Sequence, residues 1–268
     1  MRKKTRLMGA AMLGAVLLPL GASTAFGETE SAGAPTETTR ACSAELPSDP
    51  TAAANRFLRL VDTLDRQGLT QAEIDAKLAK DNCLDRVDTG DGAETRGDPG
   101  NEITLNKPKI YKVSGKNLYV ASAGWKWLKI PSKVKGYDAF GLSFSKKVAP
   151  LGHVLKYRGK FLDWKTTEQA AKSNAHGSGF IFNEGPRIGA GDTADLQGRI
   201  GEMAITFKAA KSGCSNLQAF SKYGHTWNST NVSGITIGAE SIGFTWSTSS
   251  NKWQQASQPS SEVRVCRS

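Results

Sequence analysis

Beyond Gly27 the chain has no apolar run that approaches the roughly 20 residues a membrane-spanning helix needs, which excludes a later helical span. Histidine is scarce, with His153, His176 and His225 the whole complement, and none has a local partner pattern that marks a general base. Cysteine is limited to Cys42, Cys83, Cys214 and Cys266, without a CxxC pair or clustered histidines beside them, so a cysteine-held zinc site is not expected. No repeat of about 40 to 45 residues recurs, and a β-propeller is excluded on that ground. Nucleic-acid-binding motifs are missing as well.

What is present begins with a basic Met1–Arg6 start, an apolar stretch from Leu7 to Leu20, and small residues from Ala22 to Gly27. Residues 1–27 read as a secretory signal peptide, with cleavage after Ala25 or Gly27. Export places the four cysteines in an oxidising compartment, where an even count reads as two disulfides. Of the three pairings, Cys42–Cys83 with Cys214–Cys266 is expected, because each pair then brackets one compositionally distinct region. Export also argues against a genomic target, and no motif calls for a cofactor.

The formal charge of +10 divides unevenly. Residues 28–100 carry 8 Lys and Arg against 15 Asp and Glu, or −7, while residues 101–268 carry 23 against 10, or +13. An acidic part therefore precedes a basic one.

Residues 28–40 are polar with almost nothing to bury, and a disordered leader is expected there. Within 41–84, Asp49 can cap a helix, Pro50 suits a first turn, and Phe57, Leu60, Val61 and Leu64 recur at helical spacing until Gly68. Thr70-Gln71-Ala72-Glu73 is a capping-box pattern that opens a second helix ending near Cys83. The pair makes a small acidic helical hairpin whose stripe is too thin for its own core, so it should dock on the β domain or stay marginal; a docked hairpin either masks part of the basic surface or packs beside the sandwich. Residues 85–102 are rich in Gly and Asp and read as a linker. Asp88, Asp91, Glu94 and Asp98 invite a calcium reading, but Gly90 falls where an EF-hand loop needs its third ligand.

From Ile103 to the end, short alternating runs are punctuated by Gly, Pro and Asn, and only Thr166–Ser173 has a hint of helical spacing. Runs at Ile110–Val113, Leu118–Ala121, Trp125–Ile130, Phe140–Ser145, Val154–Tyr157, Phe161–Trp164, Phe180–Phe182, Leu196–Ile200, Met203–Phe207 and Leu217–Tyr223 read as strands. Ile235 and Ile237 share one face, and Ile242, Phe244 and Trp246 share another, with Gly238–Ser241 between them as a hairpin turn. Val263 and Val265 lead into Cys266. The fold class is mainly β: an antiparallel β-sandwich or jelly-roll over 103–268, preceded by the disulfide-bridged helical hairpin.

For chemistry, Ala239-Glu240-Ser241-Ile242-Gly243 is no nucleophile elbow, since Ala replaces the first Gly and the segment is a hairpin. Glycan hydrolysis needs two facing carboxylates. Asp138, Asp163, Glu168, Glu184, Asp192, Asp195, Glu202, Glu240 and Glu262 are available, and Glu184 with Glu202 are the first candidates. All six tryptophans lie in the basic part. Trp125-Lys126-Trp127-Leu128-Lys129 places both indoles on one face, as a stacking platform for sugar or as core. Together with Lys133, Lys135 and Trp164, these residues form the candidate binding set Trp125, Lys126, Trp127, Lys129, Lys133, Lys135 and Trp164.

Trp125-Lys126-Trp127, Asp138-Ala139-Phe140-Gly141, and the segment from Gly224-His225-Thr226-Trp227 to Gly243-Phe244-Thr245-Trp246 resemble uncharacterised secreted proteins of Gram-positive bacteria over most of 100–268. The resemblance implies secretion and a β fold, and it brings no catalytic residues with it. The expectation is a secreted, non-enzymatic protein whose basic β domain engages an anionic or glycan polymer of an envelope or matrix. A secreted glycan hydrolase is the alternative.

Overall fold

The computed structural model describes residues 45–88, 95–96, 103–189 and 194–267, with 95–96 at the level of the backbone. The signal peptide, the leader, Cys42, and Asp91, Glu94 and Asp98 lie outside the described residues. All described residues belong to one compact unit. None of its helices is long and apolar enough to cross a membrane.

Two helices come first, α1 (Pro50–Arg66) and α2 (Gln71–Asn82). Asp49 Oδ1 accepts from the Ala52 N–H at 2.7 Å, and Pro50 occupies the first turn, where its missing N–H has no partner to lose. α1 ends before Gly68, whose φ of 76° only glycine adopts freely. Thr70 and Glu73 exchange both bonds of the capping box that starts α2.

The strands follow as β1 (Leu84–Arg86), β2 (Thr95–Arg96), β3 (Ile103–Leu105), β4 (Lys109–Val113), β5 (Leu118–Trp127), β6 (Tyr137–Phe144), β7 (Val148–Arg158), β8 (Lys165–Thr167), β9 (Lys172–Asn174) and β10 (Gly177–Asn183). After them come β11 (Arg187–Ile188), β12 (Asp195–Leu196), β13 (Ile200–Ala209), β14 (Gly213–Leu217), β15 (Ala219–Thr226), β16 (Val232–Gly238), β17 (Ser241–Trp246), β18 (Lys252–Ala256) and β19 (Val263–Arg267). The larger sheet runs β1-β4-β5-β13-β7-β8, with β3 beside β5 and β2 on β3. The smaller sheet runs β18-β15-β6-β10-β9. Every pairing is antiparallel, so the molecule is a β-sandwich.

Alternation decides what faces where. Trp125, Trp127, Phe140, Phe144, Phe180, Phe182, Phe207 and Tyr223 fill the space between the sheets. The opposite parity of the larger sheet, Tyr111, Val113, Val120, Val154 and Ala204, packs under Ala53, Phe57 and Leu58 of α1 and Ile74 and Leu78 of α2. Phe57 meets Tyr111 at 5.1 Å between ring centroids, and Thr206 Oγ1 donates to the Pro50 carbonyl at 3.0 Å. Apolar burial thus carries much of the docking of the helices, and the ion pairs of Asp62 with Arg158 and of Asp75 with Arg86 add to it.

The outer face of the smaller sheet is covered by the β16–β17 hairpin through Ile235, Ile237 and Ile242. A side chain at Gly141 or Gly179 would come within 2.9 Å of Ile242 or Ile235, so those glycines let the hairpin seat closely. Cys214 and Cys266 face each other across the β14–β19 ladder and are disulfide-bonded. Cys83 is also disulfide-bonded.

Several segments differ from the sequence reading. Leu118–Ala121 and Trp125–Ile130 merge into β5, because Ser122, Ala123 and Gly124 continue the ladder with β13. Phe161–Trp164 is no strand, since the Lys160 and Phe161 N–H groups are taken by the Asp195 carboxylate at 2.7 and 2.8 Å. Thr166–Ser173 is not helical; it carries the chain from β8 at the edge of one sheet to β9 at the edge of the other. β1 reaches into the stretch read as a linker, where Asp88 is buried and accepts from the Ile110 N–H at 2.8 Å.

Candidate functional site

A cleft of about 470 Å³ opens where α1 and α2 stop covering the larger sheet. Its floor is Glu202. On β13 the residues Met203, Ile205 and Phe207 point into the sandwich, so Glu202, Ala204 and Thr206 point toward the helices. Ala204 and Thr206 lie beneath α1, and Glu202 is the first of the three to emerge. It sits between Gly124 on β5 and Lys156 on β7.

One wall is a polar network that fastens α2 to the sheet. Arg86 bonds Asp75 at 2.8 Å and Asp88 at 3.3 Å. Tyr111 donates to Asp75 at 2.8 Å, Gln71 Nε2 donates to the same carboxylate at 2.6 Å, and Lys109 Nζ donates to Gln71 Oε1. The other wall is Trp164, whose ring lies under Lys156 Nζ at 5.3 Å and Arg158 at 4.9 Å. Its indole N–H donates to Asp62 Oδ2 of α1 at 3.1 Å, and Asp62 also pairs with Arg66 at 3.0 Å and Arg158 at 3.7 Å. Lys107 and Lys126 complete the rim.

The electrostatics separate these groups. Burial, then the nearby charge of Asp62, pushes Glu202 up to about 7, with Lys109 working against the rise. Burial lowers both Lys109 and Lys156, with neighbouring Arg86 and Arg59 respectively adding to it. A weakly acidic carboxyl and an ion-paired carboxylate thus share one cleft beneath a basic rim.

A second cluster lies inside the sandwich, where Asp138, Glu184 and His225 each offer a ligand atom within 4.8 Å of the others. Asp138 continues the inward parity of Phe140 and Phe144 on β6, Glu184 that of Phe180 and Phe182 on β10, and His225 that of Tyr223 on β15. Asp138 accepts from the Thr226 N–H at 2.8 Å, from the Tyr223 hydroxyl, and lies 2.9 Å from His225 Nδ1. Burial, then the charge of Asp138, holds Glu184 far above the ordinary carboxylic range.

The sequence-derived site residues scatter. Trp125 and Trp127 are each 1% exposed, so neither indole is a stacking platform. Trp125 lies among Phe140, Phe182 and Tyr223 and donates to the Gly198 carbonyl at 2.9 Å; Trp127 packs on Tyr223, His225 and Trp253. Lys126, with the opposite parity, is exposed and joins Trp164 at the cleft. Lys129, Lys133 and Lys135 are exposed on the connection from β5 to β6, with Lys133 5.9 Å above the Trp227 ring. Glu184, at the end of β10 in the smaller sheet, lies inside the sandwich, whereas Glu202 lies on the helix-facing side of the larger sheet, so the two do not form a facing pair. The carboxylates that share Glu202's surroundings are Asp62 and Asp65, in the segment read as a separate hairpin.

No family model matches this chain, and no curated protein matches it. Among solved structures, it is similar to AvmM, which catalyses macrocyclization in alchivemycin A biosynthesis, at 11% identity and TM-score 0.31, covering 66% of this chain and 96% of that one. The Clostridium perfringens delta-toxin is similar at 7% identity and TM-score 0.29, covering 68% and 97%. The pilus backbone RrgB from Streptococcus pneumoniae follows at 11% and 0.22, covering 59% and 51%. At such TM-scores these likenesses carry no argument, and the function is argued from the side chains alone.

Proposed function

We propose that this is a secreted binding protein whose cleft engages a short segment of an anionic glycan polymer. The observation that carries the reading is the cleft itself: a half-buried tryptophan on one wall and Lys107, Lys109, Lys126 and Arg158 around an open volume large enough for a few sugar units. The aromatic ring offers an apolar surface to a sugar face, and the cations meet its acidic substituents. Heparin serves as the probe. Its affinity is expected to drop by about tenfold or more as salt is raised from low to several times physiological strength, because rim charges are screened. Lys126→Glu and Trp164→Ala should each weaken it further at fixed salt. Salt-indifferent retention, or undiminished binding by both variants, overturns the proposal.

One observation supports a second reading, glycan hydrolysis. Burial raises Glu202 to about 7, which poises it to give or take a proton near neutral pH, and Asp62, in contact with Arg66 and Arg158, lies in the same cleft. Release of reducing ends from a glycan by the wild type, abolished in Glu202→Gln, would replace the binding reading with this one.

A further inference from the structure

Asp138, Glu184 and His225 come from three neighbouring lengths of the smaller sheet, β6, the end of β10 and β15, and all three are fully or nearly fully buried. His225 Nε2 lies 3.2 Å from the Lys133 carbonyl, which can only accept, so this nitrogen carries a proton. The other nitrogen, Nδ1, then points at Asp138 Oδ2 at 2.9 Å and Glu184 Oε2 at 3.5 Å. Asp138 is well supplied with donors, from Tyr223 and Thr226. Glu184 is 0% exposed, and neither of its oxygens has a hydrogen-bond partner.

Something positive must stand among these atoms, and a proton or a metal ion can do so. A proton on Nδ1 that serves Asp138, with a second on Glu184, which burial and the charge of Asp138 favour, balances the charge, yet leaves both Glu184 oxygens buried without a hydrogen-bond partner. A divalent cation ligated by Nδ1, Asp138 Oδ2 and Glu184 Oε2 neutralises both carboxylates and gives Glu184 a partner. The donation of Nε2–H to a backbone carbonyl is the supporting contact that fixes a ligating imidazole's tautomer. Hydroxyl and N–H bonds to Asp138 orient the second ligand in the same way.

We infer that Asp138, Glu184 and His225 form a buried structural site for a divalent transition ion of the zinc class. One nitrogen and two carboxylate oxygens fill three of the four positions around a zinc-class ion, whereas calcium takes six to eight oxygens and magnesium six, far more than this cluster supplies. The ion would tie three adjacent strands together at the end of the sandwich where Trp127 Nε1, packed on the His225 ring, is also buried without a partner.

The test uses the full mature chain with its disulfides intact, stripped with a chelator in denaturant and refolded with or without zinc chloride. Metal content by mass spectrometry after desalting should be about one zinc per chain, with a higher thermal midpoint than the zinc-free protein. Glu184→Gln is the informative variant, because this side chain has no hydrogen bond to lose and the amide preserves its shape. It should fold, as judged by circular dichroism, hold no zinc, and show no zinc-dependent midpoint. Wild type that refolds in zinc and retains none overturns the site, as does a folded Glu184→Gln that retains the full equivalent. An infrared carboxylic-acid band in zinc-treated wild type that disappears in Glu184→Gln would assign the position to a proton instead.

Discussion

Gly201 is inward-facing on β13, directly opposite Trp125, and the indole ring lies across it. A Cβ there would fall 2.1 to 2.5 Å from three ring atoms. Gly201→Ala should therefore destabilise by about 1–3 kcal/mol in urea unfolding, an overpacking effect that a Trp125→Phe background should relieve. Glu202, one residue on and on the other face, gives a pH signature. Its folded pKa of about 7 lies above the unfolded carboxylate value, so the folded state holds the extra proton between roughly pH 4.5 and 7. Stability from this group is thus lost as pH rises through that window, by an amount on the order of 1–3 kcal/mol. Glu202→Gln should flatten the fall between pH 5 and 8 in thermal or urea titrations; an unchanged slope would mean that Glu202 is not the group responsible. The inward carboxylates were legible at this scale. Asp138 shares parity with Phe140, Leu142 and Phe144, so it had to enter the core and need a partner there, a signal that searching for a pair of facing carboxylates passed over.

At the level of elements, local chemistry set the helices. Asp49 and Pro50 begin α1, and Thr70 with Glu73 begins α2, because caps satisfy N–H groups that any helix start leaves open. The β16–β17 hairpin likewise follows from its two apolar faces and its short turn. The link between β14 and β19 spans 52 residues, and closing it restricts the unfolded chain by up to about 4 kcal/mol on the loop-entropy model. The ladder and a 2.9 Å bond from the Cys266 N–H to the Tyr119 hydroxyl persist without it. A Cys214→Ser/Cys266→Ser double variant should thus keep the fold and lose about 2–4 kcal/mol, measured by urea midpoint at unchanged slope.

At the scale of the molecule, the described residues stack in four layers: helices, larger sheet, smaller sheet, hairpin. The helices supply Asp62 to the cleft and bury Tyr111, Val120, Val154 and Ala204, so they are a wall of the site as well as its neighbour. A chain that begins at residue 101 should expose that apolar face and elute as aggregates in size exclusion rather than as an unmasked polyanion binder. A monomeric truncation with stronger heparin binding would instead make the helices a removable cover.

The sequence by itself determined which residues share a face and where elements start: Trp125 with Trp127, Ile235 with Ile237, and the two caps; it offered Cys214–Cys266 as one of three pairings, which the β14–β19 ladder realises. These depend on neighbours a few residues apart, or on regions that cysteines bracket. Only the tertiary structure decided what lies against each face. Alternation puts Glu202 and Lys126 on the opposite side from Trp125, but nothing local says that α1 covers part of that side and leaves the rest as a cleft. Sheet order, settled by burial of both faces at once, brought Asp62 beside Glu202 and placed Asp138, Glu184 and His225 together across distant stretches of chain.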